Sequence, residues 1–236
     1  MFLSIAIMQP YFFPYLGYWQ LLKKVDHFIL YDNIKFTKKS WIRRNRILLN
    51  GKDSLLTLPL KNDSDALDIK ERILSDSFLI EREKILNKIK IAYQKSPQFE
   101  TVFPIIEKCL RYDSDNLFLF IHHSIVTISN YLGITTPILI SSTIDMDHSL
   151  KNKERVIASC KALSESVYIN PIGGIELYDK KDFYSNGIDL RFIKTGYFEY
   201  KQFENDFIAN LSIIDVMMFN TSEGINRLLE NYEIIK

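Results

Sequence analysis

Along this chain the spacing of apolar residues switches between two periods. Residues 2–8 are almost continuously apolar, which predicts a strand buried on both faces. The run stops at Gln9-Pro10, and an aromatic loop with Pro14 and Gly17 leads into a short helix whose inner side carries Leu21, Leu22 and Val25. Residues 27–31 form a second apolar strand, so the opening reads as a parallel strand–helix–strand unit. Residues 46–50 and 54–60 flank Gly51-Lys52 and predict a hairpin that continues the sheet. Helical spacing then takes over in 77–94, with Phe78, Leu79, Ile85, Leu86, Ile89 and Tyr93 on one face and Ser75 or Ser77 as the cap. Helices at 102–110 and 114–132 follow. Strands are expected at 137–141, 166–170 and 190–193, with helices at 151–163 and 178–186 between them. Residues 211–232 read as two helices broken at Thr221-Ser222. Alternating strand and helix predicts an α/β fold, a Rossmann-like and mostly parallel sheet. One domain over 1–236 is expected, with a helical insertion at about 76–133.

Composition narrows the class. The 236 residues are 47% hydrophobic and 25% charged, which suits a globular protein with ample core. The net charge of +1 provides no global field toward nucleic acid or membrane, so anion binding must be local. Cys109 and Cys160 form no metal-type pair and read as reduced thiols, which points to the cytoplasm. The apolar start lacks a basic flank and a small-residue cleavage site, and no apolar run reaches the ~18 residues of a membrane span.

Local charge is the exception. Six Lys or Arg lie between Lys35 and Arg46 with no acid among them, just beyond a strand that ends near Asp32. Lys38, Lys39, Ser40, Arg43 and Arg46 are candidates to hold a diphosphate, Arg by bidentate grip and Lys as a point charge. Trp41 is placed to stack on a base or sugar, and basic residues interleaved with aromatics would also suit RNA. The plain alternative is a solvated strand edge. Gln9 closes an apolar strand, where ligands of open α/β sheets bind, and the following helix N-terminus favours an anion. Tyr11 and Tyr18 of the aromatic loop would line that site. Gly173-Gly174 follows another strand end and permits close backbone approach. Ser141-Ser142 reads as a helix cap. The histidines His27, His122, His123 and His148 show no metal-ligand spacing, and no Walker A, GxGxxG, GxSxG or HExxH motif occurs.

The stretch QPYFFPYLGYWQLLKKVDHFILYDNIKFTKKSWIRRNRI, with LLTLPL, SPQFE, KERVIASCKAL, YINPIGGIELYD and LSIIDVMMFN, resembles the WbqC-like family of bacterial surface-polysaccharide clusters. Lys35 and Ile175 depart from the family pattern of Gln and Arg. The resemblance implies transfer of an acyl or aminoacyl group to a nucleotide-linked amino sugar in O-antigen or lipopolysaccharide biosynthesis, with an acyl carrier protein or other activated donor. Asp32 or a histidine would take the amine's proton, and Gln9 or Asn45 would orient the carbonyl. The cofactor is left open, and neither a metal nor nucleic acid is expected. Two rivals stand beside it. The opening unit also resembles HIGH-type nucleotidyltransferases at fold level, but Tyr15 and Tyr18 stand where their histidines would be. A sugar-nucleotide-binding protein without catalysis is the other.

Overall fold

The computed structural model describes residues 3–236; Phe2, where the expected first strand begins, lies outside the described residues. In chain order the elements are β1 (Ser4–Met8), α1 (Leu16–Lys24), β2 (His27–Leu30), β3 (Arg44–Leu49), β4 (Lys52–Thr57), α2 (Phe78–Tyr93), α3 (Phe99–Leu110) and α4 (Leu117–Tyr131). There follow β5 (Ile138–Ile140), α5 (Asn152–Ala162), β6 (Val167–Pro171), α6 (Lys180–Tyr184), β7 (Asp189–Thr195), α7 (Ile213–Phe219), α8 (Ser222–Glu230) and β8 (Tyr232–Ile235).

Six strands form one sheet in the order β5-β2-β1-β6-β7-β8. Numbered by their own sequence, these strands run 3-2-1-4-5-6, the Rossmann order. Every pair is parallel except β7 with β8. Strand period explains the two cores. Ile5, Ile7 and Ile29 face a layer holding Val156 and Cys160 of α5 and Phe183 of α6. Ala6, Phe28 and Leu30 face the opposite layer with α1, α8 and the helices of the middle of the chain. The fold is therefore mixed α/β, with a Rossmann-like, mostly parallel sheet.

Two expectations are corrected. The hairpin β3–β4 does not extend the sheet; it is a separate two-stranded ribbon. The outer edge of β2 is already taken by β5, which pairs Phe28–Leu30 with Ile138–Ile140. Its turn is Asn50-Gly51, with φ of 52° and 71°, the paired left-handed geometry of a tight hairpin. Neither Ser75 nor Ser77 caps α2 through its side chain: their hydroxyls lie 2.8 Å apart and bond each other. The antiparallel edge strand β8 was not anticipated, because YEII is too short to show a period.

A buried acid fastens the ribbon to the body. Asp215 of α7 accepts hydrogen bonds from Tyr93 Oη (2.8 Å), Tyr200 Oη (2.7 Å) and Gln202 Nε2 (2.7 Å). Tyr93 Oη in turn accepts from the backbone N–H of Leu48 in β3. Burial pushes the Asp215 carboxyl above its ordinary pKa, and the three donors pull it back.

Candidate functional site

The main cleft lies where Rossmann-order sheets bind ligands, beyond the carboxyl ends of the strands beside β1. It encloses about 770 Å³. Its walls come from the end of β1 (Ile7, Met8, Gln9), Tyr11, the segment after β2 (Tyr31, Asn33, Ile34, Lys35), Asp68, Tyr178, and the start of α5 with the loop before it (His148, Lys151, Asn152, Arg155, Val156). Lys35, Lys151 and Arg155 are three cations against one carboxylate, Asp68.

Arg155 is the centre of this wall. It is 7% exposed, and its guanidinium stands 5.1 Å from the centroid of Tyr31. Nη1 donates to the Asn33 carbonyl (3.1 Å), while Nη2 donates to the Asn33 side-chain oxygen and to Ser141 Oγ (3.4 Å). Its Nε is buried without a partner. Among the described residues no carboxylate lies within ion-pair distance, so the buried charge has neutral partners only. A buried cation of this kind is stabilised by an incoming anion. The N-terminus of α5 adds its dipole to the same place. Asn152 opens that helix in the left-handed region (φ 49°), a conformation Asn tolerates better than most residues.

Asn33 links Arg155 to His148. Its amide nitrogen lies 3.1 Å from His148 Nδ1, and His148 Nε2 lies 3.0 Å from the Ile144 carbonyl. The carbonyl can only accept, so in the neutral ring Nε2 carries the proton and Nδ1 accepts from Asn33. Asp68 sits across the cleft, opposite Lys35 in an isolated antiparallel bridge. Burial, reinforced by Glu71, raises its pKa, while Lys70 and Arg155 oppose the rise. Asp68 also opens the 3-10 turn Ile69–Glu71 as a capping box: its carboxylate accepts from the Glu71 backbone N–H, and the Glu71 carboxylate accepts from the Asp68 N–H at 2.8 Å.

The residues singled out from sequence fall into three groups. Gln9 and Tyr11 line the main cleft. Tyr11 also borders a second cavity of about 300 Å³, with Tyr15, Trp41, Asn45, Arg46 and Asn210. The others lie outside both cavities. Asp32 is 2% exposed, and both its oxygens accept from Ser142: the backbone N–H at 2.8 Å and Oγ at 2.5 Å. It therefore locks the turn after β5. Ser141-Ser142 accordingly caps no helix. Tyr18 is fully buried, its hydroxyl donating to the Gln9 carbonyl at 3.2 Å. Lys38 pairs with Asp65 at 2.9 Å in solvent, Ser40 Oγ donates to the Thr37 carbonyl, and Lys39 is exposed. Arg43 is half-buried, and desolvation with neighbouring Arg44 and Arg72 lowers its pKa. Gly173 is exposed, and Gly174 packs against the Asn170 side chain in a 3-10 turn outside both cavities.

Asn45 clamps the aromatic loop. Its amide donates to the Phe12 (3.0 Å) and Phe13 (2.8 Å) carbonyls, and Ser212 Oγ donates to the latter at 2.8 Å. These bonds hold Phe13 in a left-handed conformation (φ 45°) that a bulky residue rarely adopts. The expected anion seat at α1 is closed. The start of that helix opens on a cavity of only about 10 Å³, covered by Thr195, Phe198 and Tyr200. The triphosphate end of a HIGH-type site thus has no room there.

The family match accords with the sequence resemblance. The model of the WbqC-like protein family matches residues 9–227. The chain belongs to this family. A relative from Mycobacterium tuberculosis (strain ATCC 25618 / H37Rv), "Uncharacterized protein Rv1507c", is 26% identical over 220 residues, covering 92% of this chain and 93% of that protein. No solved structure matches. In this WbqC-like protein the match covers the whole lining of the second cavity and all of the main cleft's except Ile7 and Met8. Arg155 lies within KERVIASCKAL, a segment that carried the resemblance; its charge on an apolar helix face was the signal for it in the sequence. Asp68, in a polar loop without period, left no such signal.

Proposed function

We propose that the main cleft binds a nucleotide-linked amino sugar by its diphosphate, and that the protein transfers an acyl or aminoacyl group to the sugar's amine in surface-polysaccharide biosynthesis. The observation that carries this reading is Arg155, a buried guanidinium without an acid, bordering a cleft large enough for such a ligand. Lys35 and Lys151 supply further positive charge for the diphosphate. Asp68 takes the place first given to Asp32. Its carboxylate, held by a single backbone N–H and with a raised proton affinity, borders the cleft and suits a base that receives a proton from nitrogen. The amine nitrogen bonds to the acyl carbon, the bond from that carbon to the donor's leaving group breaks, and the nitrogen's proton passes to Asp68. Gln9, whose side-chain amide is uncommitted among the described residues, is available to donate to the carbonyl oxygen as charge develops on it.

The test is incubation of the protein with nucleotide-linked amino sugars and activated acyl donors, with the products weighed by mass spectrometry. The expected result is an N-acylated sugar nucleotide, lost in Asp68→Asn while sugar-nucleotide binding persists. Equal turnover by Asp68→Asn would remove the base, and sugar-nucleotide binding without product from any donor would favour a binding protein.

A further inference from the structure

The cavity on the far side of Tyr11 has a different character from the main cleft. Three aromatic side chains, Tyr11, Tyr15 and Trp41, wall it, and Arg46 lies at its rim. Trp41 is 39% exposed, and its indole N–H makes no hydrogen bond among the described residues. The guanidinium carbons of Arg44 and Arg46 stand 5.5 Å and 5.8 Å from its ring centroid. Both arginines have a buried Nε without a partner. Arg46 is held by Asp53 (3.1 Å) and the Asn210 carbonyl (3.4 Å). Asp53 is half-exposed, so this pair is weak and its guanidinium is free to turn to a stronger anion. Of the two asparagines in the wall, Asn45 and Asn210, the Asn45 amide is already spent on the Phe12 and Phe13 carbonyls.

We propose that this cavity is a second ligand site, which takes a nucleotide by stacking its base on Trp41 and gripping its phosphate with Arg46. A base has a π-face for the indole and the flanking tyrosines. A phosphate presents paired oxygens to the guanidinium fork. A neutral sugar fits less well, because the lining holds no carboxylate to accept from its hydroxyls. The two sites share only Tyr11, so two ligands can meet there. Assigning this nucleotide to the acyl donor rests on the transferase reading; the binding itself does not.

Tryptophan emission tests it directly. Trp19 is fully buried and donates its indole N–H to the Pro14 carbonyl, so quenching by a ligand reports Trp41. The full chain is titrated with ADP, UDP, adenosine and pyrophosphate. ADP or UDP should quench emission saturably, at least tenfold more tightly than adenosine or pyrophosphate. Arg46→Ala should weaken the nucleotide tenfold or more, and Trp41→Phe should weaken it by calorimetry. Arg155→Ala should leave it within twofold. Absence of saturable quenching by both nucleotides would overturn the proposal. Pyrophosphate binding as tightly as ADP would do the same, since it would reveal only a cationic patch. Equal losses in Arg155→Ala and Arg46→Ala would merge the two sites into one. Nucleotide quenching that persists where amino-sugar nucleotides fail to bind at Arg155 would leave this site intact and remove only the proposed acceptor.

Discussion

Arg72 and Arg155 are 4% and 7% exposed, and each lies over an aromatic ring, Phe36 at 5.0 Å and Tyr31 at 5.1 Å. Each has an unpartnered Nε and no acid within ion-pair distance among the described residues. Their surroundings differ. Arg72 donates to the carbonyls of Ser64 (3.0 Å) and Lys61 (3.2 Å), and so stitches down the polar loop between β4 and α2. Arg155 holds Asn33 and borders the 770 Å³ cleft, whereas Arg72 borders neither cavity of the site. Burial of an unpaired cation is thus not by itself a mark of function; burial beside open space, with a helix N-terminus aimed at the same point, is the stronger sign.

The comparison is sharpest in stability. Arg72→Ala leaves the Ser64 and Lys61 carbonyls without their donor and removes the guanidinium packed on Phe36, and should cost about 3 kcal/mol, since hydrogen bonds to charged groups are worth about 1.5–3 kcal/mol each. Urea unfolding checks this, and a melting point lower by about 6–12 °C should accompany it. His27 gives a second structural case. Its Nδ1 lies 2.6 Å from Glu165, whose side chain is fully buried with its other oxygen unpartnered. His27→Ala strands that acid and should cost about 2 kcal/mol in the same measurement, below the ~3–5 kcal/mol of a fully buried pair because the histidine is partly exposed. Arg155→Ala should cost only about 1 kcal/mol, because cleft water can replace the guanidinium at Asn33. A loss as large as that of Arg72→Ala would break the distinction.

The smallest effect concerns Asp68 and pH. Its folded-state pKa is raised, chiefly by burial, so the folded chain holds this proton more tightly than the unfolded chain. The stability it contributes is fully present below the unfolded pKa, about 3.9, and is lost as pH rises through the raised value. Asp68→Asn should therefore match the wild type at acid pH and become slightly more stable than it toward neutrality, as thermal melts across pH would reveal. If Asp68 is the base of the proposed transfer, the sign reverses in turnover, because the base must be ionised: the wild-type rate should fall as pH drops through the raised pKa.

Much of the fold was legible because two-sided burial leaves apolar runs. Ile5, Ile7 and Ile29 go to one core and Ala6, Phe28 and Leu30 to the other, and both sets stand in the sequence as continuous strands. The pairing of the hairpin was not legible. Residues 44–57 look alike whether they extend the sheet or leave it, and the decision rests with β5, about eighty residues later. The site was half legible. Gln9 and Tyr11 follow from the strand-end rule. Asp32 reads in the sequence as a free carboxylate because its partner, Ser142, lies 110 residues away. The run from Lys35 to Arg46 drew attention by density, yet its members scatter: Lys35 to the main cleft, Arg46 to the aromatic cavity, Lys38 to Asp65. One arginine on α5 outweighs that cluster, because a guanidinium removed from water gains more from an arriving anion than exposed cations do.

The most direct test is calorimetric titration of a UDP- or dTDP-linked amino sugar into the wild type, Arg155→Ala and Arg72→Ala, each at a temperature where it is folded. The account predicts saturable binding to the wild type, a loss of at least thirtyfold in Arg155→Ala and little change in Arg72→Ala. Undiminished affinity in Arg155→Ala would contradict it and return the buried guanidinium to a purely structural role.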